Sequence, residues 1–370
     1  TLSIIEDIES ERLLFLGTDD GLYYSLNKGE SWTKFDSKVF PTVSTKDLII
    51  HPREHDLVIG TFGRAAWVMD DIRPLRAVAE NPEITTKQSY IFEPPTSYLA
   101  EYQQPTGSRF GGDALFNAEN RKSGSMLTYF YKAKDKKSKD SLTLKIFDGD
   151  RLIRTLNKKA PTETGFHRWY WYMNEKGVAR PSRSDRKRTS EPGGVTVKPG
   201  TYRVVLESKE TKSETEVVVM NDPRIEVSQK AIDDRYDYSK KIERLTEQAA
   251  AAVNQLKASK KTLESYKTRI EKKDKEANKE LIEVIEDRTK MIDSIMNAFI
   301  GKEDKRQGIV RNSTNSVVTR ISNVNRYVRS RPYGITSTEE KLLEHAQNEL
   351  KSALEKTNIF YKEHWDALKA

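Results

Sequence analysis

The chain has 370 residues, more than one typical core accommodates, so two or three domains are expected. Its 36% hydrophobic and 32% charged content suits exposed sheets and helical hairpins, the absence of cysteine excludes a disulfide framework, a thiolate zinc site and a thiol nucleophile, and no apolar run approaches the roughly 20 residues of a membrane-crossing helix. The net charge of +8 comes from 64 basic residues that mostly alternate with 56 acidic ones, which argues against nucleic acid as the partner, because a nucleic-acid footprint is a clustered basic face.

The chain opens directly into Ser3-Ile4-Ile5 without an initiator methionine and is expected to begin inside a longer polypeptide. An imperfect repeat follows, in which Leu13-Leu14-Phe15-Leu16-Gly17-Thr18 is echoed by Asp56-Leu57-Val58-Ile59-Gly60-Thr61. Each copy leads through a glycine, Gly21 or Gly63, to an aromatic strand, Leu22-Tyr23-Tyr24 or Ala66-Trp67-Val68. An offset of about 43 residues suits propeller blades of four short strands, about two of them here. Between the copies, Ser25-Leu26-Asn27-Lys28-Gly29-Glu30-Ser31-Trp32 has the chemistry of a tight turn. Asn27 can bond to nearby amides, Gly29 can take positive φ, Ser31 can tie the hairpin across and Trp32 can pack between sheets. The motif resembles the Asp-box hairpin of sialidase-like and sortilin-like propellers, with Asn27 where aspartate is usual. Ser25, Asn27, Gly29, Ser31 and Trp32 are therefore read as structural.

After Ile91 the repeat stops, and Phe92-Glu93-Pro94-Pro95-Thr96 reads as an extended spacer. Strands with period-two patterning are expected at Met126 to Tyr131, Leu142 to Phe147, Trp169 to Met173, Tyr202 to Leu206 and Glu216 to Val219, with a turn at Asp148-Gly149-Asp150. They predict a β-sandwich. Beyond Asn221-Asp222-Pro223, helical seams run through Ile242, Leu245, Ala249, Ala252, Leu256, Leu263, Tyr266 and Ile270, with polar Ser259 at one seam position. Further seams use Leu281, Ile285, Ile292, Ile295 and Phe299, then Val317, Ile321, Val324 and Val328. The last helix is expected to open with a capping box, Ser337-Thr338-Glu339-Glu340, and to bury Leu343, Ala346, Leu350, Ala353 and Phe360. The expected fold is thus multidomain β then α: terminal β-propeller blades over 1–91, an Ig-like β-sandwich over 92–223 and an antiparallel helical hairpin or bundle over 224–370.

Taken together, the chain resembles the C-terminal half of large bacterial secreted proteins of the sortilin-like or glycosyl-hydrolase-like Asp-box (BNR) propeller type. The residues that carry this are Gly60-Thr61-Phe62-Gly63-Arg64 through Trp67-Val68-Met69-Asp70-Asp71-Ile72-Arg73-Pro74-Leu75, similar to the closing blade and exit, and Phe116-Asn117-Ala118-Glu119-Asn120 with Leu127-Thr128-Tyr129-Phe130, similar to the start of the sandwich. Gly165-Phe166-His167-Arg168 with Trp169 and Trp171 resembles a G-x-x-R-x-x-W strand, and Pro199-Gly200-Thr201-Tyr202 a late strand of a flagellar-hook-capping-like Ig domain. The resemblance implies export to the periplasm, cell surface or medium, commonly in Bacteroidota. It implies no settled activity, since the enzymatic name rests on fold analogy.

No self-sufficient active site is legible. A glycosidase needs two facing carboxylates, and Asp19-Asp20 and Asp70-Asp71 are the paired candidates, both beside strand ends where acids serve turns. Arg64 and Arg73 cannot make the arginine cluster of a sialidase. The histidines His51, His55, His167, His345 and His364 have no metal spacing, and no motif calls for a cofactor. Outside the first stretch the functional candidate is a basic loop of the sandwich, Arg180, Arg183, Arg186, Lys187 and Arg188, read either as a solvated, mobile loop or as an electrostatic contact for anionic surface polysaccharide, lipid head groups or an acidic partner. One aromatic pair among Trp169, Tyr170, Trp171 and Tyr172 could be exposed for carbohydrate, and a stripe near Met291, Met296 and Phe299 could dock a partner. The expectation is a non-catalytic binding or assembly module of an exported cell-envelope protein, engaging a protein partner or a surface glycan. The rival is the accessory part of a secreted glycoside hydrolase whose catalytic residues lie in other blades.

Overall fold

The structure is a computed structural model that describes residues 1–100, 121–134, 140–186, 189–302 and 315–366. The chain divides into two compact units, Thr1–Met173 with Pro199–Ile225, and Asn174–Lys198 with Glu226–Ala370. It is mixed β and α, with antiparallel sheets in the first unit and long helices in the second.

The first unit opens on a four-stranded antiparallel meander, β1 (Ser3–Glu6), β2 (Leu14–Thr18), β3 (Gly21–Ser25) and β4 (Thr33–Lys34). A second meander follows, β5 (Thr45–Ile50), β6 (Leu57–Thr61) and β7 (Ala66–Met69). Alternation sends Leu13, Phe15 and Leu22 from the first sheet and Leu48, Ile50, Leu57 and Ile59 from the second into one core. Burying each such side chain contributes about 1.5–3 kcal/mol. Gly17 marks the closest approach, because a Cβ there would meet the Ser3 hydroxyl and come within 2.7 Å of the Thr45 carbonyl oxygen. Gly60 holds the matching place in the repeat, yet its nearest neighbour is the Cβ of Asp47 at 3.3 Å, in its own sheet. On that face Ile49, Val58 and Val68 lie side by side across the three strands, with Ile49 57% and Val68 58% exposed.

Helix α1 (Arg73–Glu80) is not legible as a helix in the sequence: it has two turns, carries Pro74 in its first turn and buries only Pro74, Val78 and Ala79. A 3-10 turn, Pro82–Thr86, is capped by the Asn81 side chain.

The remaining strands of this unit form two sheets. One has the order β13-β10-β8, built from β8 (Ser89–Ile91), β10 (Ser125–Tyr131) and β13 (Gly165–Trp171). The other, of order β12-β11-β16-β17-β9, uses β9 (Ser97–Leu99), β11 (Ser141–Asp148), β12 (Arg151–Lys159), β16 (Gly200–Glu207) and β17 (Lys212–Asn221), with β9 parallel to β17. Each expected strand is present, but the one expected at Trp169 to Met173 begins earlier, at Gly165, and ends at Trp171. The additional β12 hairpins onto β11 through Gly149, whose φ of 57° is the left-handed conformation that the Asp148-Gly149-Asp150 turn needs. Pro94 and Pro95 are buried, and their extended segment joins β8 in one sheet to β9 in the other. Every residue of β10 is buried, and Phe130 packs with Val78, Ile84 and Phe92, so this strand lacks the polar alternation of a half-exposed one. Trp171, wholly buried, meets Tyr202 of β16 edge-on at 5.4 Å and ties the two sheets together. The Phe116 to Asn120 segment lies outside the described residues.

The second unit contains α2 (Gln229–Lys273), α3 (Lys279–Ile300), α4 (Val317–Ser330) and α5 (Ser337–Ile359), continued by a π turn, Phe360–Trp365. A two-stranded ribbon, β14 (Asn174–Lys176) with β15 (Gly193–Thr196), belongs to the same unit. The seams converge on one core that includes Ile242, Leu256, Ile292, Phe299, Val324, Leu350 and Phe360. Met296 and Phe299 are buried there and Met291 packs against it, so that stripe is satisfied internally. Two expectations shift by one residue. Leu281 is 43% exposed and Ile282 takes the buried place, because the helix meets its neighbour on the 282/285 face. The capping box is formed by Thr336 and Glu339, one residue ahead of Ser337 and Glu340. Polar Ser259 is explained by a partner across the bundle: its hydroxyl lies 2.9 Å from that of Tyr361 in the π turn.

Candidate functional site

The basic stretch lies in the segment Asn174–Lys198, within the helical unit, and not in a loop of the β unit as expected. Its ribbon is bound to α2 by a buried carboxylate, Glu175, which accepts from the Tyr236 hydroxyl at 2.7 Å and from Lys240 at 3.2 Å. Lys240 also pairs with Glu243 at 2.5 Å. Burial alone would lower the Lys240 ammonium, but its hydrogen bonds to the two glutamates and their charge outweigh that and raise it. Glycines allow the close contact, since a Cβ on Gly194 would meet the Gly177 backbone and, at 2.8 Å, the Glu243 carboxylate.

From this ribbon the chain reaches α3. Arg183 donates to the Gly301 carbonyl at 2.6 Å and to Asn297 Oδ1 at 2.7 Å, placing a cation on the negative end of the helix. Lys257 of α2 holds the same loop by bonds to the Ser184 and Ser182 carbonyls, at 2.8 and 3.3 Å, and by an ion pair with Asp185 at 2.6 Å. Hydrogen bonding to Lys257 keeps the Asp185 carboxyl below its ordinary value. Arg180 and Arg186 are exposed; Lys187 and Arg188 lie outside the described residues.

The pinned loop, α2 and α3 enclose an open groove of about 1100 Å³. Arg183, Lys257, Lys260, Lys261 and Lys302 line it against Asp185, Glu264 and Asp293. Lys260 bridges from α2 to both oxygens of Asp293 on α3, at 2.7 and 2.8 Å. Of these cations only Arg183 was singled out from sequence. Lys257, Lys260 and Lys261 recur at helical spacing, but that is also how an ordinary solvated helix face reads.

The other candidates are engaged locally. In the turn around Asn27, Ser25 donates to Asn27 Oδ1 at 2.9 Å and accepts from the Gly29 amide at 2.9 Å. Asn27 Oδ1 accepts from the Ser31 amide and its Nδ2 donates to the Ser31 hydroxyl, both at 3.0 Å. Lys28 and Gly29 have φ of 58° and 88°, and Trp32 is half-buried against Gly29. Asp19 accepts from Ser44 at 2.9 Å and Asp20 pairs with Lys34 at 2.6 Å. Asp71, buried, pairs with Arg73 at 2.6 Å, and Arg168 bonds to the Asp70 carbonyl. His51 caps its own turn, accepting from the Arg53 and Glu54 amides. Arg76 of α1 joins buried Asp7, Glu9 and His55, a network with no signal in the sequence because its members are far apart in the chain. His167, lowered by burial, contacts Tyr129 and the Glu163 carbonyl. In the aromatic strand Trp171 is core, Lys158 and Lys122 lie over Trp169 and Tyr170, and Tyr172 is exposed. Among the described residues no group of three or more histidines or carboxylates is arranged to hold a metal ion, and no helix is long and apolar enough to cross a membrane.

No protein-family model and no curated protein matches the chain. Among solved structures it is similar to pT26-6p, at 14% sequence identity and a TM-score of 0.15, a score that carries no fold argument. The match covers 65% of this chain and 46% of that one, so the chain spans about half the length of that protein.

Proposed function

We propose that this chain is a non-catalytic binding or assembly part of an exported bacterial cell-envelope protein, engaging a protein partner or a surface glycan. The observation that carries the reading is the groove beside the basic loop, a concave, charged surface whose walls are held by Arg183 and Lys257. The paired carboxylates that a glycosidase would require are, by contrast, engaged in turns and ion pairs.

In this reading the first two sheets are the last blades of an Asp-box propeller and the next two an Ig-like sandwich. The hydrogen bonds around Asn27 support the first assignment, and so does the quasi-repeat: the Phe15/Gly17 face of the first sheet is covered by the second, while the matching Val58/Gly60 face has no sheet over it among the described residues. That uncovered face also favours a second reading, an accessory part of a glycoside hydrolase whose catalytic residues lie in further blades. The test uses the full-length protein with envelope glycans and model glycosides. Saturable binding without release of reducing ends supports the module; turnover abolished by substituting blade carboxylates overturns it.

A further inference from the structure

We infer that the groove between the basic loop, α2 and α3 takes an acidic glycan, a polymer bearing carboxylate or sulfate groups; the inference rests on the binding-module reading. Asn254, Lys257, Lys261 and Glu264 follow one another at three- and four-residue steps along one face of α2, so the row runs for about 15 Å. Lys257 and Lys261 of this row, with Lys260 beside them, offer several contacts to a repeating anion and one to a small ion. The groove is open, so a polymer can lie in it without presenting an end.

The cations are held in a way that a multivalent anion can exchange. Asp185, the partner of Lys257, is 88% exposed, and Asp293, the partner of Lys260, is 44% exposed. The lysines are more covered, at 17% for Lys257 and 30% for Lys260, but the carboxylates lie on the solvent side of each pair and return to water at little cost when displaced. Lys261 has no ion-pair partner within 4 Å among the described residues. Arg183, both of whose bonds go to the end of α3, shapes the wall and is not exchanged, while Lys257 exchanges only Asp185 and keeps its bonds to the Ser184 and Ser182 carbonyls.

The lining also separates glycan from nucleic acid. Single-stranded nucleic acid is held by a basic groove together with aromatic side chains on which bases stack. Among the described residues this groove has no aromatic in its lining; Ala258 and Met296 are the apolar members there, and the side-chain amides of Asn254 and Asn297 add polar contacts of the kind that suit hydroxyls.

The experiment measures binding of a heparin-derived octasaccharide to the full chain by titration calorimetry, beside a neutral dextran oligomer and a single-stranded oligonucleotide of equal charge. The octasaccharide should bind, and bind more weakly as salt is raised. Lys261→Glu and the double variant Lys260→Ala/Lys261→Ala should each weaken it about tenfold or more, with thermal melting of Lys261→Glu within a degree or two of the parent, since among the described residues Lys261 has no ion-pair partner within 4 Å. Asp185→Asn should tighten it severalfold by removing the competing carboxylate. Undiminished binding in Lys261→Glu overturns the site, and equal or tighter binding of the oligonucleotide overturns the glycan assignment. If the octasaccharide fails while another envelope ligand binds, this assignment alone falls; catalytic turnover by the full-length protein would remove the broader reading.

Discussion

At the scale of single residues, Asn27 uses both ends of its amide, accepting from the Ser31 amide and donating to the Ser31 hydroxyl. A carboxylate keeps the acceptor, and the hydroxyl can turn to donate to it. Asn27→Asp should therefore melt within a degree or two of the parent, whereas Asn27→Ala should lose about 1–2 kcal/mol, both readable by thermal denaturation. Glu339 sets a pH dependence. Burial by itself would raise its carboxyl, but hydrogen bonds from the Thr336 hydroxyl and amide and the charge of Arg331 outweigh this and hold it below the ordinary value. A carboxyl lower in the folded than in the unfolded chain gives stability that is present above the unfolded value of about 4.3 and is lost as pH falls through the folded one. Glu339→Gln should cost about 1 kcal/mol at neutral pH, and its difference from the parent should shrink as the pH is lowered toward about 3.

Among elements, the repeat makes two glycines equivalent in sequence and unlike in structure. Gly17→Ala drives a methyl against the Thr45 backbone and should cost about 1–3 kcal/mol, while Gly60→Ala, whose methyl meets the Asp47 Cβ at 3.3 Å, should cost clearly less. Chemical denaturation of the two variants side by side checks this. The same contrast explains what could be read from sequence. Strands and long helices were legible because Leu142 to Phe147 or Val317 to Val328 repeat a period, and the turns because Asn27-Lys28-Gly29 and Asp148-Gly149-Asp150 have their own chemistry. Helix α1 was not, since two turns give no period, nor was the groove. Its walls depend on Arg183 meeting Gly301, 118 positions away, a contact that no local pattern encodes.

In the molecule as a whole, the chain enters the helical unit twice, first at Asn174–Lys198 and again from Glu226. The early visit supplies Glu175 to Tyr236 and Lys240, and Arg183 to the end of α3. A fragment of residues 226–370 should consequently melt several degrees below the same fragment linked to 174–198, and a synthetic 174–198 peptide added in trans should recover part of the difference, measured by circular dichroism. The helices are thus not a separable appendage in sequence.

The row of Ile49, Val58 and Val68 has a practical meaning in the test tube. Beside it β7 ends its sheet, pairing only with β6 among the described residues. A strand edge next to an apolar face is a template for sticking to its own kind. Concentrated solutions of this chain should therefore cloud before those of a variant carrying Ile49→Lys and Val68→Lys, and light scattering against concentration would register the gap.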